Sequence, residues 1–221
     1  MTKLECLMTK EDRKAAFTLM ELLVVIVIVV ILVGLAFPAF QGVLERAKKV
    51  QAKNDLTQIV TAVNAFYTEY GKYPLVTDDT PIANTADLFY TLRAVATGAN
   101  APVNGVPAIN PRAIVFISPP DVKNAANPRS GIGITTGVGQ WYDPWGTTYK
   151  VAIDGTYDNQ IANPYGTNGA GADPIRQGVI AWSLGKNGVL GGGLATDRSK
   201  FGDEPGRAGV FTNSGDVISW Q

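Results

Sequence analysis

Histidine is missing from all 221 residues, and cysteine occurs once, at Cys6. Without histidine there is no Ser-His-Asp triad, no Cys-His pair, no imidazole base and no HExxH zinc site. A single cysteine excludes an intrachain disulfide, a zinc finger and an iron–sulfur cluster. Nineteen basic and nineteen acidic side chains cancel, leaving no basic footprint for nucleic acid. The carboxylates are scattered, and none is paired in the surroundings that general acid–base chemistry needs. Gly188-Val-Leu-Gly-Gly-Gly193 lacks the GxxxxGK[ST] pattern and a following helix signal, so it reads as a flexible loop rather than a phosphate cradle. Trp141, Trp145, Trp182 and Trp220 lie near strand-like stretches, where tryptophan normally fills core or interface. No enzyme is expected.

What the chain does have is a long apolar run. Leu22 to Phe37 is unbroken counting Gly34, and Pro38, Ala39 and Phe40 extend it. About 20 helical residues cross the ~30 Å hydrocarbon core of a bilayer. The β-branched residues Val24 to Ile31 disfavour a helix in water, but in lipid a lone segment satisfies its backbone only as a helix. A cleaved secretory signal peptide is the competing reading, since Lys10, Arg13 and Lys14 precede the run. The run exceeds the usual h-region, no A-x-A-like site follows, and Glu21 sits at its start, so a retained membrane helix is the better reading. A carboxylate beside hydrocarbon normally has a partner; otherwise it rests in the first helical turn, favoured by the dipole.

The helical pattern runs on past the apolar segment. Val43, Ala47, Val50, Leu56, Ile59, Val63, Phe66 and Tyr70 recur every three to four residues, with charged residues on other faces. Gly71 and Pro74 end it. The spacing predicts one helix from Thr18 to Tyr70, half in a membrane and half packed on a small domain. Beyond Pro74, Thr85 or Asp87 is positioned to cap a short helix over 88–97 stopped by Gly98. Strands are expected at 114–118, 148–153, 179–184 and 217–220, with 121–140 irregular. The expected fold is α+β: a long N-terminal helix packed on a small antiparallel sheet with long loops. The divisions are 1–16, 17–40, 41–74 and a globular domain over 75–221.

Arg13-Lys-Ala-Ala-Phe17-Thr-Leu-Met-Glu21 brings basic residues, a small residue, phenylalanine, glutamate and an apolar helix into one register. This resembles the N-terminal signal of the type IV pilin and type II secretion pseudopilin superfamily, with Ala16 standing where the family usually has glycine. Pro38 falls at the twenty-second place from Phe17, where these proteins often carry proline. The resemblance implies cleavage between Ala16 and Phe17 by a prepilin peptidase, N-methylation of Phe17, and retention of the helix as an anchor. It also implies that Glu21 pairs with the Phe17 amine of a neighbouring subunit during filament assembly, and it places a kink or loosening at Gly34 and Pro38. Removal of 1–16 takes Cys6 with it, which suits an oxidising periplasm.

Asp143-Pro-Trp-Gly-Thr-Thr-Tyr149 looks like the DPWGxxY turn of major type II secretion pseudopilins. Ser183-Leu-Gly-Lys-Asn-Gly188 and Asp216-Val-Ile-Ser-Trp220 resemble their closing elements, whose loops bind calcium through hard oxygen donors. Carried over by position, Leu184 and Val189 would offer carbonyls, and Asn187 and Asp216 side chains. Asn187 stands where the family has aspartate, and Gly215 replaces one of an acidic pair, while Asp197, Asp203 and Glu204 lie in an insertion. Calcium and a metal-free loop stapled by backbone hydrogen bonds both remain open. Residues 99–140 and 155–178 match nothing and are expected to decorate the surface.

The resemblance implies a structural subunit of a type II secretion pseudopilus. It would be anchored by a single pass in the inner membrane, with its C-terminal domain in the periplasm. Its partners would be copies of itself, the prepilin peptidase/methyltransferase, an assembly platform protein and an ATPase. A type IV pilus subunit for adhesion, motility or DNA uptake is the alternative within the class. A monomeric membrane-tethered binding module is the alternative outside it.

Overall fold

The structure, a computed structural model, describes residues 18–191, 210–211 and 214–221, without the side chains of 35–41. The chain divides into two compact units, Met1–Glu45 and Arg46–Gln221. Helix α1, Leu19–Tyr70, is 52 residues long and contributes to both.

In the second unit α1 buries one stripe: Ala52, Leu56, Ile59, Val63 and Phe66, spaced three to four apart, have no exposed surface. Its end lies where the sequence places it. Gly71 takes φ +69°, and its N–H returns to Tyr67 O at 2.8 Å, a left-handed cap that glycine adopts without strain.

Helix α2, Thr85–Leu92, is shorter and differently capped than expected. Asn84 caps it, its side-chain oxygen accepting from Ala86 N. Asp87 is instead drawn forward to the amide of Ala99. The helix stops at Leu92 because Ala94 turns to φ +59°; Gly98, expected as the stop, opens a separate 3-10 turn, Gly98–Asn100. Residues 114–118, expected as a strand, pair with no strand. The amides of Phe116 and Ile117 both go to Leu92 O, and Asn110 spans the gap by donating to Thr91 O and Ile114 O.

Five short strands follow. Strands β1, Gly131–Ile132, and β2, Trp141–Tyr142, form an antiparallel pair, β1 inside the 121–140 stretch read as irregular and β2 just past it. Two residues are too few to show a period-2 signal. Strands β3 (Lys150–Ile153), β4 (Val179–Ser183) and β5 (Val217–Ile218) make an antiparallel sheet with β4 central. The register sets Lys150 against Trp182, Ile153 against Val179, and Trp182 against Ile218. The architecture is thus α+β, with the helix packed on small antiparallel sheets.

Every residue of β4 is buried, because both faces of this sheet are covered. On one face Val151, Ile153, Val179, Ala181 and Val217 meet the apolar stripe of α1 and Leu88, Phe89 and Leu92 of α2. On the other, Ala152, Ile180, Trp182 and Ile218 meet Ile161, Tyr165, Ala170 and Ile175. The 155–178 segment is therefore a second core layer, which corrects the expectation that it decorates the surface. Asn163 shapes it, donating to Ala170 O and Ala172 O and accepting from Tyr165 N. No strand pattern announced it, because its order comes from side-chain hydrogen bonds to backbone and from one isolated antiparallel bridge, Ile161 with Ile175.

The sheets are joined by one carboxylate. Asp143, fully buried, accepts through Oδ1 from the amides of Trp145, Gly146 and Thr147 at 2.8–2.9 Å. Its Oδ2 accepts from Thr147 Oγ1 at 2.5 Å and Ser183 Oγ at 2.6 Å. Pro144 presets the turn and Gly146, at φ +102°, completes it. Ser183 Oγ accepts in turn from Gly185 N at 3.0 Å, so the chain runs on to the loop after β4. Replacing Asp143 with alanine strands several buried donors. We expect D143A to lose about 3 kcal/mol or more of stability, whereas S183A, which removes the two hydrogen bonds of one hydroxyl, loses about 2 kcal/mol. Denaturant melts of the detergent-solubilised chain measure both.

Candidate functional site

At the N-terminal motif, Thr18 and Glu21 form a reciprocal capping box. Thr18 N and Oγ1 both donate to Glu21 Oε2 at 2.9 Å, and Glu21 N donates to Thr18 Oγ1 at 3.2 Å. The Thr-x-x-Glu spacing therefore starts α1 by satisfying first-turn amides. It leaves the carboxylate exposed at the helix's positive end. From Leu19 to Gly34 every side chain is exposed. A Cβ at Gly34 would meet nothing within 4 Å, so no contact within the chain requires glycine there. Pro38 lies in the helical span, with its side chain outside the described residues. Ala16 and Phe17 lie outside them altogether. Among the described residues no helix is long and apolar enough to cross a membrane; the run of described apolar side chains stops at Gly34, short of 35–41.

At the C-terminal loop, Leu184 precedes a 3-10 turn, Gly185–Asn187, closed by Gly188 at φ +68°. Asn187 Oδ1 accepts from Val189 N at 3.2 Å. Asp216 is buried, and its Oδ2 accepts from Tyr165 O–H at 2.8 Å and Gly191 N at 2.7 Å. Its Oδ1 has no partner among the described residues. Burial raises the Asp216 pKa, opposed by the Gly191 amide, the Tyr165 hydroxyl and the charge of Lys49. Tyr165 is itself pushed up, by burial first and then by Asp216. The structure thus brings Asp216 to Gly191, and Asn187 to Val189.

The described donors do not make a calcium cage. Calcium takes six to eight oxygens and is tuned by carboxylate count. Here one carboxylate offers one free oxygen, and the Asn187 amide oxygen is turned onto its own loop. Asp197, Asp203 and Glu204 lie outside the described residues.

Sequence reasoning missed two groups. Asp79, Asp154 and Asp158 bring carboxylate oxygens within 4.8 Å of one another, but their hydrogen bonds account for them. Asp79 accepts from the amides of Gly155 and Thr156, and Asp154 from those of Asp158 and Asn159, which pins the start of the 155–178 layer. Asp55 on α1 accepts from the Tyr149 hydroxyl at 2.7 Å inside the core. Burial, then the nearby charge of Asp143, raises its pKa, against the Tyr149 hydrogen bond. The sequence reading set the charged residues of α1 on other faces, but Asp55 lies three residues after Ala52 and four before Ile59, on the buried side of the helix.

Among known families, residues 12–37 match the prokaryotic N-terminal methylation motif. No curated protein and no solved structure is matched by the chain. The matched span holds Ala16, Phe17, Glu21 and much of the apolar run together, and the motif is a prepilin-type signal.

Asp55 and Asp216 carry a pH signature. Both are held above the ordinary carboxylate value of 3.8. Above 3.8 the unfolded chain ionises while the fold still holds the protons. Their contribution to stability is therefore full below that value and is lost as pH rises through their raised values. We expect D55N and D216N to flatten the fall of melting temperature between about pH 4 and about pH 7. Thermal melts across that range check this, and a wild-type slope unchanged in both variants would contradict it.

Proposed function

From a chain whose N-terminus carries the prepilin-type signal, we propose a pilin-like structural subunit that is trimmed, methylated and polymerised through α1 into a type II secretion pseudopilus. The observation that carries this reading is the methylation motif in register with a capped helix whose apolar side chains from Leu19 to Val33 are exposed. A bare apolar surface of this extent needs a cover. The inner membrane supplies one before assembly and neighbouring copies supply one after. Cleavage between Ala16 and Phe17 leaves an amine that pairs with Glu21 of an adjacent subunit, each charge gaining a partner away from water. In the free subunit Thr18 holds that carboxylate in place, so the capping box keeps Glu21 oriented at the helix start.

The pseudopilus form of the reading is supported by Asp143 and Ser183. These residues carry two of the segments that resemble major pseudopilins, and they meet through a 2.6 Å hydrogen bond. The prepilin peptidase/methyltransferase, an assembly platform protein and an ATPase are the partners this role requires. The globular domain would then face the periplasm.

Intact mass and N-terminal sequencing of the membrane-extracted chain, made with its processing machinery, test the first step. The expected product begins at N-methylated Phe17; a chain retaining Met1 points to a tethered module instead. E21Q preserves the capping box, because glutamine serves equally well at that place, but removes the charge. We expect E21Q and E21A both to fold and both to lose filaments in a sheared-fraction assay. Filaments undiminished in E21Q would overturn the charge-pairing role. Deleting the gene abolishes protein export in the pseudopilus reading, and surface pili in the pilus reading.

A further inference from the structure

Among the described residues the last strand is the edge of its sheet: β5 pairs only with β4, so the carbonyls on its other side need donors from elsewhere. Lys53, on α1, provides it. Its ammonium donates to Ile218 O at 2.8 Å, to Ser219 O at 3.4 Å and to Gln221 O. Those are three main-chain oxygens for three N–H donors, 165 to 168 residues away along the chain. Gathering carbonyl oxygens around one positive centre is what a hard cation does. Burial holds the Lys53 pKa below its ordinary value of 10.5, the expected cost of placing an ammonium there.

Around the same cavity, about 320 Å³, stand Lys49, Lys53 and Asp216. Among the described residues this lining holds two lysines and one aspartate.

We infer that Lys53 is a built-in cation that fastens the C-terminal segment to α1, so that this segment closes without a bound divalent metal. The inference does not depend on whether the chain polymerises. It is tested on the full chain in detergent, by thermal melts and by hydrogen exchange of the 214–221 amides, with calcium or with a chelator. Wild-type curves in calcium and in chelator should superimpose. In K53M the segment's amides should exchange about tenfold faster or more, the loss expected for hydrogen bonds from a charged donor, and calcium should not restore them. K53Q, which keeps N–H donors without the charge, should move in the same direction by less, and serves if K53M does not accumulate. A calcium-dependent rise in wild-type melting temperature would overturn the inference. So would wild-type exchange rates in both variants.

Discussion

Asp143 is the group on which the globular unit is built. Its two oxygens hold a tight turn from three amides and a threonine, then cross to Ser183 at the end of the central strand. A buried carboxylate is costly unless each lone pair finds a donor, and here the fold is arranged so that each does. The turn sends β3 back to pair with β4, while the Ser183 link sets where β4 stops and the closing loop begins. Trp141, packed edge-on between Phe89 and Tyr149 at 5.6 Å from each, ties the same turn to α2. The sheet that faces α1 is therefore positioned from one residue outward.

A second principle orders the two faces of that sheet. The helix brings a conventional apolar stripe, and a stripe of this kind is readable because its period is the helix's own. The opposite face is covered by a segment with no regular period, organised by Asn163, Asp154 and Asp79 through side-chain to backbone hydrogen bonds. Such bonds depend on where distant amides arrive, so a polar, glycine-rich stretch looks like surface in one dimension while Tyr165 and Ile161 within it are core.

The N-terminal motif inverts this. Thr18 and Glu21 are three residues apart and make their contacts with each other, so the start of α1 is legible locally. The apolar run after them is legible for another reason: its unbroken apolar composition shows in one dimension, and its side chains from Leu19 to Val33 are exposed. It belongs to the span, residues 12–37, that matches the prokaryotic N-terminal methylation motif.

By itself, then, the sequence determined the long helix, its cap and its end at Gly71, the α+β class, and the prepilin-type signal. Each rests on residues a few positions apart, where spacing alone carries the physics. Only the tertiary structure decided the rest. It put α2's cap at Asn84 and left 114–118 hydrogen-bonded to Leu92 rather than in a sheet. It paired two-residue strands, turned Asp55 inward to Tyr149, and brought Lys53 to the carbonyls of β5 and the residues after it. Apart from the local Asn84 cap and the short β1–β2 pairing, those choices join groups far apart in sequence, up to 168 residues, and they follow from which buried donors and acceptors remain to be satisfied once the helix and sheet have packed.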